Sequence, residues 1–257
     1  SSIDLVYTRS LYTMAISSLF GKSVVIEMHA KFINWKITKK LLFKFSLSTG
    51  NIKGVVVISE PLRDYFCNML NINDNQIIIA HDASDLIGES VTPVSIKNKN
   101  RISVGYVGQL FSGRGVELIF DLSKRIPDAD FHIVGGLEED INYWKVQTKN
   151  QKNIIFHGFV DAVKTSSYLK AFDIVLAPYQ SKVTILGEGD SSEWMSPMKL
   201  FEYMAAGTAI IASDLPAIRS ILEENKTALL CKPDSLDSWY NAILFLQLNS
   251  EFRLGLG

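Results

Sequence analysis

Apolar positions along the chain fall into two alternating textures. Short runs rich in Val and Ile are separated by stretches whose apolar residues recur every three to four positions. IDLVYT, SVVIEMH, GVVVIS and QIIIAH read as strands, and SLYTMAISSLF, NWKITKKLLFKFSLS and EPLRDYFCNML as the helices between them. Continuous apolar strands alternating with helices predict a parallel sheet covered on both faces. The texture then breaks: from about 86 to 101, LIGESVTPVSIKNKNR is polar and has no helical period. A second series opens with ISVGYVG and continues through DFHIVGG, NIIFHGF, DIVLAPY, TAIIAS and TALLCK, again with helices between. Six strands make a complete doubly wound sheet. The predicted fold class is α/β, with two Rossmann-like doubly wound parallel-sheet domains. Residues 1–88 form an incomplete first domain, 89–100 a linker, and 101–257 the second domain. The first domain reads as the later part of a sheet, and the chain as a fragment cut at both ends.

Composition narrows the function. The chain has 257 residues, 47% of them apolar, and a net charge of −1. That is enough for sizeable cores, and it offers no basic excess to release counterions from nucleic acid. Cys67 and Cys231 lie far apart without metal-type spacing and read as buried thiols of a reducing compartment. No run of apolar residues is long enough to span a bilayer, and the first residues lack a signal-peptide layout. A cytoplasmic location is expected.

In open α/β sheets ligands bind beyond the carboxyl ends of the strands, so the candidate residues are those just after strands. In GYVGQLFSGRGVELI, Gly108 and Gln109 close a strand, and Arg114 stands between two glycines at a helix start. Glycines let backbone approach a ligand, free amides at a helix N-terminus favour phosphate, and Arg supplies a planar cation. The ordinary alternative is a flexible loop with a solvated Arg. The spacing is neither a P-loop nor a dinucleotide fingerprint. In SPMKLFEYMAAGTAIIAS, Ser196 reads as an N-cap, Pro197 as the first helical residue, and Lys199 as a first-turn cation opposed by the helix dipole. Glu202 follows three residues later on the same face. An exposed Lys–Glu pair is one reading. The other is a cleft in which Lys199 and the amides around Leu200 meet a diphosphate while Glu202 accepts two ribose hydroxyls. His29 closes the strand VVIEMH, where a lone His is most often structural. In WKITKKLLFKF, Lys36, Lys39, Lys40 and Lys44 accompany Trp35, Leu41, Leu42 and Phe45. Such a helix is either a wet helix face or one that lies on an anionic membrane.

These motifs, in this order and over nearly the whole chain, resemble the retaining GT-B glycosyltransferases of family GT4. The resemblance implies a nucleotide diphospho-sugar donor held by the second domain and a glycan or lipid-linked acceptor held by the first. By that match Glu202 is the ribose ligand, Arg114 a phosphate ligand, the backbone at Val160 the nucleobase cradle, and His29 a neighbour of the transferred sugar. Arg114, Lys199 and His29 are the expected catalytic groups. Two positions depart from the pattern. Trp194 stands where the first Glu of the E-x7-E motif belongs, with Glu193 adjacent and Glu188 nearby, and Gln109 replaces a common Arg. The resemblance also implies retention by front-face attack without metal or cofactor, polysaccharide or cell-envelope work, and possible contact with the inner face of the plasma membrane. Two alternatives stay open: an epimerase or hydrolase of sugar nucleotides, and a non-catalytic nucleotide-sugar-binding module.

Overall fold

The computed structural model describes residues 4–32, 35–70, 76–96, 98, 100–185 and 189–257. The chain divides into two compact units: Ser1–Asp82 with Ile185–Ser196, and Ala83–Thr184 with Pro197–Gly257. Glu188 lies outside the described residues.

The first unit holds β1 (Leu5–Thr8), α1 (Leu11–Leu19), β2 (Ser23–Met28), α2 (Ile37–Ser48), β3 (Ile52–Val57), α3 (Glu60–Leu70) and β4 (Ile77–Ile79). The strands pair in parallel in the order β1-β2-β3-β4. Alternation along β2 buries Val24, Ile26 and Met28 on one face, as a period of two requires. Ser10 caps α1 through its hydroxyl, which accepts from the Thr13 amide at 3.3 Å. The core gathers an aromatic cluster of Phe32, Phe43 and Phe66, and Trp194 is buried in the same cluster. The departure at 194 therefore has a packing role in this unit.

The second unit contains β5 (Ile102–Val107), α4 (Val116–Arg125), β6 (Ala129–Val134), α5 (Glu138–Gln147), β7 (Ile154–Gly158), α6 (Ala162–Leu169) and β8 (Ile174–Ala177). Two-residue strands β9 (Thr184–Ile185) and β10 (Gly189–Asp190) come next along the chain. The unit then resumes with α7 (Met198–Ala206), β11 (Ala209–Ser213), α8 (Pro216–Arg219), β12 (Leu229–Cys231), α9 (Leu236–Leu248) and α10 (Ser250–Leu256). Its six-stranded sheet runs β12-β11-β8-β5-β6-β7, all parallel. The direction of winding reverses between β5 and β8, so the crevice beyond these two strands is the switch point where such sheets take ligands. Every residue of β5, β8 and β11 is buried, which explains their continuous apolar sequence.

Residues 83–96 carry neither helix nor strand, yet they run along the second unit. The Val94 amide donates to the Ser167 carbonyl at 3.1 Å, and Lys170 Nζ to the Gly88 carbonyl at 2.9 Å. Cys231 is buried, whereas Cys67 is only half-buried. Among the described residues, no helix is long and apolar enough to cross a membrane.

Candidate functional site

At the exit of β5 the chain turns through Gly108, whose φ of 147° suits glycine. A Cβ there would stand 3.1 Å from Lys199 Nζ, so the missing side chain leaves room for the ammonium. The Tyr106 hydroxyl donates to the Gln109 carbonyl at 2.6 Å and pins this turn from below. The loop then reaches Gly115, which starts α4 in the left-handed region at φ 78°. A Cβ on Gly115 would lie 1.7 Å from the Pro178 carbonyl oxygen, and the Gln180 amide donates to the Gly113 carbonyl at 3.0 Å. The loop after β5 is thereby clamped to the exit of β8. Gly115→Ala meets both a forbidden φ and a backbone clash, and is expected to destabilise by about 3 kcal/mol or more. A thermal or urea melt checks it.

α7 enters the same crevice because Tyr203, fully buried, ties it to the sheet. The Tyr203 hydroxyl accepts from the Val107 amide at 3.1 Å, with the carbonyls of Val107 and Leu176 each 3.3 Å away for its own proton. Lys199 lies one helical turn before Tyr203 on the same face, and Glu202 lies three residues after Lys199. Lys199 Nζ sits 4.2 Å from the Tyr106 ring centre and 4.9 Å from that of Tyr179. The Arg114 guanidinium lies 5.2 Å from the Tyr179 ring. Burial, then the Arg114 charge, push the Lys199 pKa down to about 7, against a partial upward pull from Glu202. Burial drives the Tyr179 hydroxyl up to about 12 and raises Tyr106 further, so both stay neutral rings. Glu202 is raised by burial and held back by Lys199.

Glu202 also lines a cavity of about 410 Å³ with Val107, Phe159, Val160 and Thr165, closed on another side by Ser84, Asp85 and Ile87. Val160 reaches it because β7 ends at Gly158, whose φ of 74° redirects the chain. The structure thus brings Gly108, Arg114 and Lys199 together at one end of α7, and Glu202 and Val160 around one hollow.

Other expected site residues lie elsewhere. Ser196 is not the N-cap of α7: Pro197 holds that position without a side-chain cap, and the helix begins at Met198. The Ser196 hydroxyl instead accepts from the Asp82 amide at 3.1 Å within the first unit. Leu200 is a core residue, and its amide turns back to the Pro197 carbonyl at 2.9 Å. The Gln109 side chain is exposed. His29 belongs to the first unit, and both its ring nitrogens are engaged. Nε2 lies 2.6 Å from Glu27 and Nδ1 faces Arg9. Arg can only donate, so Nδ1 accepts and Nε2 carries the proton toward Glu27. Burial would raise the Glu27 pKa, but hydrogen bonds from His29 and Tyr7 outweigh it and hold the carboxyl below its ordinary value. Glu193 pairs with Lys31 at 2.7 Å, and that ammonium lies 4.7 Å over the Trp194 ring. His132 and His157 stack within the sheet at 3.0 Å between Nδ1 and Nε2, as expected of structural residues.

Sequence reasoning missed Tyr106, Tyr179 and Tyr203, since a tyrosine near a strand end or inside a helix reads as core. It also placed Ser84, Asp85 and Ile87 in the first domain, within residues 1–88, and gave them no part in the site. The signal available was the adjacency of Tyr106 to Gly108 and of Tyr179 to the end of β8.

Comparison with known proteins gives the arrangement a family. The glycosyl transferases group 1 family matches residues 101–249. An uncharacterized glycosyltransferase of Methanocaldococcus jannaschii is 29% identical over 248 residues, covering 90% of this chain and 58% of its own length. The phosphatidyl-myo-inositol mannosyltransferase of Mycolicibacterium smegmatis is 31% identical over 139 residues, 52% of this chain and 32% of that protein. The chain therefore spans well under two thirds of these relatives. Among solved structures, a Rickettsia africae glycosyltransferase superposes with a TM-score of 0.76 at 15% identity, covering 99% of this chain and 69% of that one. Anabaena Alr3699/HepE, solved with UDP, gives a TM-score of 0.74 at 14% identity, covering 98% and 71%. The two parallel sheets, of four and six strands, are those of the GT-B glycosyltransferase fold. With its second unit matched almost throughout, the chain belongs to the glycosyl transferases group 1 family.

Proposed function

We propose that the chain transfers a sugar from a nucleotide diphospho-sugar to a glycan or lipid-linked acceptor with retention of configuration. One observation carries this reading: Lys199 is pressed between two tyrosine rings beside Arg114, one helical turn from a carboxylate that lines a nucleoside-sized hollow. Two cations held close together are unfavourable while the site is empty, and a diphosphate relieves the repulsion. In this reading Glu202 accepts the two ribose hydroxyls, and the backbone at Val160 cradles the base. As the glycosidic bond breaks, Arg114 and Lys199 stabilise the negative charge that builds on the departing diphosphate. An acceptor hydroxyl attacks from the same face and gives its proton to the departing diphosphate oxygen. The new C–O bond thus replaces the broken one with retention and without a covalent enzyme intermediate. His29, with both nitrogens engaged, positions its neighbours and transfers no proton. HepE solved with UDP and a relative named as a mannosyltransferase favour a nucleotide-sugar donor. A thermal-shift screen of nucleotide sugars against the chain tests the reading: a rise in melting temperature with one of them supports it, and no rise with any refutes it.

The acceptor reading includes contact with the cytoplasmic membrane face. On α2 the exposed residues Ile37, Leu41 and Phe45 form one stripe at four-residue spacing, next to exposed Lys36, Lys39 and Lys44. That pattern supports a membrane-facing helix over a purely wet one. Replacing Leu41 and Phe45 by Asp removes two side chains worth about 1.5–3 kcal/mol each when buried. Binding to vesicles rich in anionic lipid is expected to weaken at least tenfold in a sedimentation assay, with the melting temperature kept.

A further inference from the structure

We propose that a cavity in the first unit, at the carboxyl ends of β1 and β2, is a subsite for an anionic group of the acceptor, a phosphate or a carboxylate. The proposal rests on the transferase reading and deepens it by naming the acceptor's chemistry. The cavity holds about 270 Å³, and its walls include Arg9, Tyr12, Met28, Trp35, Lys39 and Phe43. That volume suits one sugar ring or one headgroup, being just below the roughly 300–1,000 Å³ of pockets for drug-sized ligands. It also lies at the end of the sheet where open α/β folds take ligands.

Its two cations are not tied up in ion pairs among the described residues, although the charge of Glu27 reaches Arg9. Among the described residues, neither Arg9 nor Lys39 forms an ion pair with a carboxylate. Arg9 gives an N–H to His29 Nδ1, which is a neutral acceptor because the other ring nitrogen holds its proton toward Glu27. The hydrogen bond therefore orients Arg9 without neutralising it, and the remaining guanidinium donors are left for an oxyanion. Glu27 is hydrogen-bonded by His29, and its charge also reaches Arg9. Lys39 Nζ lies 5.8 Å from the centre of the Trp35 ring, and Trp35 stacks on Phe32 at 4.0 Å. The indole is thus a rigid wall, and Phe43 and Met28 complete an apolar lining. Both cations are exposed, so their attraction for an anion is screened by water and salt, and the apolar wall adds contact area for the rest of the ligand.

The test is a titration of the full chain near neutral pH, read by tryptophan fluorescence. The probes are glucose, glucose 1-phosphate, glucuronate, and a short-chain polyprenyl phosphate in neutral micelles. Saturable signals are expected with the three anionic probes and none with glucose. The Arg9→Gln, Lys39→Gln double variant should bind them at least tenfold more weakly while keeping its melting temperature and its nucleotide-sugar binding. Trp35→Phe should lose the signal, and Lys199→Met should keep it, which separates this subsite from the donor site. Tighter binding of the polyprenyl phosphate assigns a lipid-linked acceptor, and tighter binding of glucuronate an acidic glycan; either supports the proposal. An equal response to glucose, unchanged affinity in the folded double variant, or no saturation with any anion overturns it. Loss of nucleotide-sugar binding in the unaltered chain, with anion binding retained here, would remove the transferase reading and leave the subsite standing.

Discussion

In a Glu202→Ala variant, affinity for a nucleotide sugar falls at least a hundredfold while the empty protein keeps its melting temperature. The two halves of this expectation have separate physical sources. The carboxylate accepts two hydrogen bonds from a ribose diol, each worth about 1.5–3 kcal/mol because one partner is charged. Losing both corresponds to roughly two to four powers of ten in affinity. Stability behaves oppositely. Burial raises the Glu202 pKa in the folded state, so ionised Glu202 opposes folding at pH values above both its folded and unfolded pKa. Removing it near neutral pH therefore leaves the fold intact or slightly firmer. Calorimetry for the affinity and a thermal melt for the fold separate the two. A variant that binds as well as the parent would show that the helix face carries the residue for surface reasons alone.

The second large effect concerns protons. Burial and Arg114 depress Lys199 to about 7 in the empty site. A bound diphosphate restores the charged form, so binding takes up a proton wherever the free lysine is neutral. With a pKa near 7, uptake is expected to be about nine-tenths of a proton at pH 8 and about one-tenth at pH 6. Calorimetry in buffers of different ionisation enthalpy measures this number. Lys199→Met should abolish the uptake and weaken binding roughly ten- to a hundredfold, the effect of losing one charge-assisted contact. The empty protein gives a matching signature. Between pH 7 and about 10.4 the unfolded chain binds a proton at Lys199 that the folded chain does not, so this residue makes stability rise with pH across that window. The same rise should vanish in Lys199→Met.

Much of this fold was legible in the sequence. The Val- and Ile-rich runs of β2, β5 and β11 announced parallel strands, because strands buried on both faces have no polar alternation to disguise them. The loop around Arg114 was legible as glycine-rich, but the reason at Gly115 was not: the sequence suggested approach to a ligand, whereas a Cβ there would lie 1.7 Å from the Pro178 carbonyl oxygen. The cap of α7 was not legible either. Ser196 followed by Pro197 has the local chemistry of an N-cap, but the Asp82 amide, far away in sequence, takes the Ser196 hydroxyl. Tyr106, Tyr179 and Tyr203 were hidden for a related reason: their rings bury as core residues would, and only the tertiary arrangement turns two of them toward Lys199. Trp194 read as a lost site residue and is packed with Phe32 and Phe66. In each case a distant partner, invisible to the local pattern, decides what the side chain does.

The central claim is that Arg114, Lys199 and Glu202 hold the diphosphate and ribose of one nucleotide sugar. A crystal structure of the chain with a bound nucleotide sugar tests it most directly. The account predicts phosphate oxygens at about 2.7–3.2 Å from Lys199 Nζ and the Arg114 guanidinium, with both ribose hydroxyls on Glu202. A nucleotide seated elsewhere, with those three side chains untouched, would contradict it.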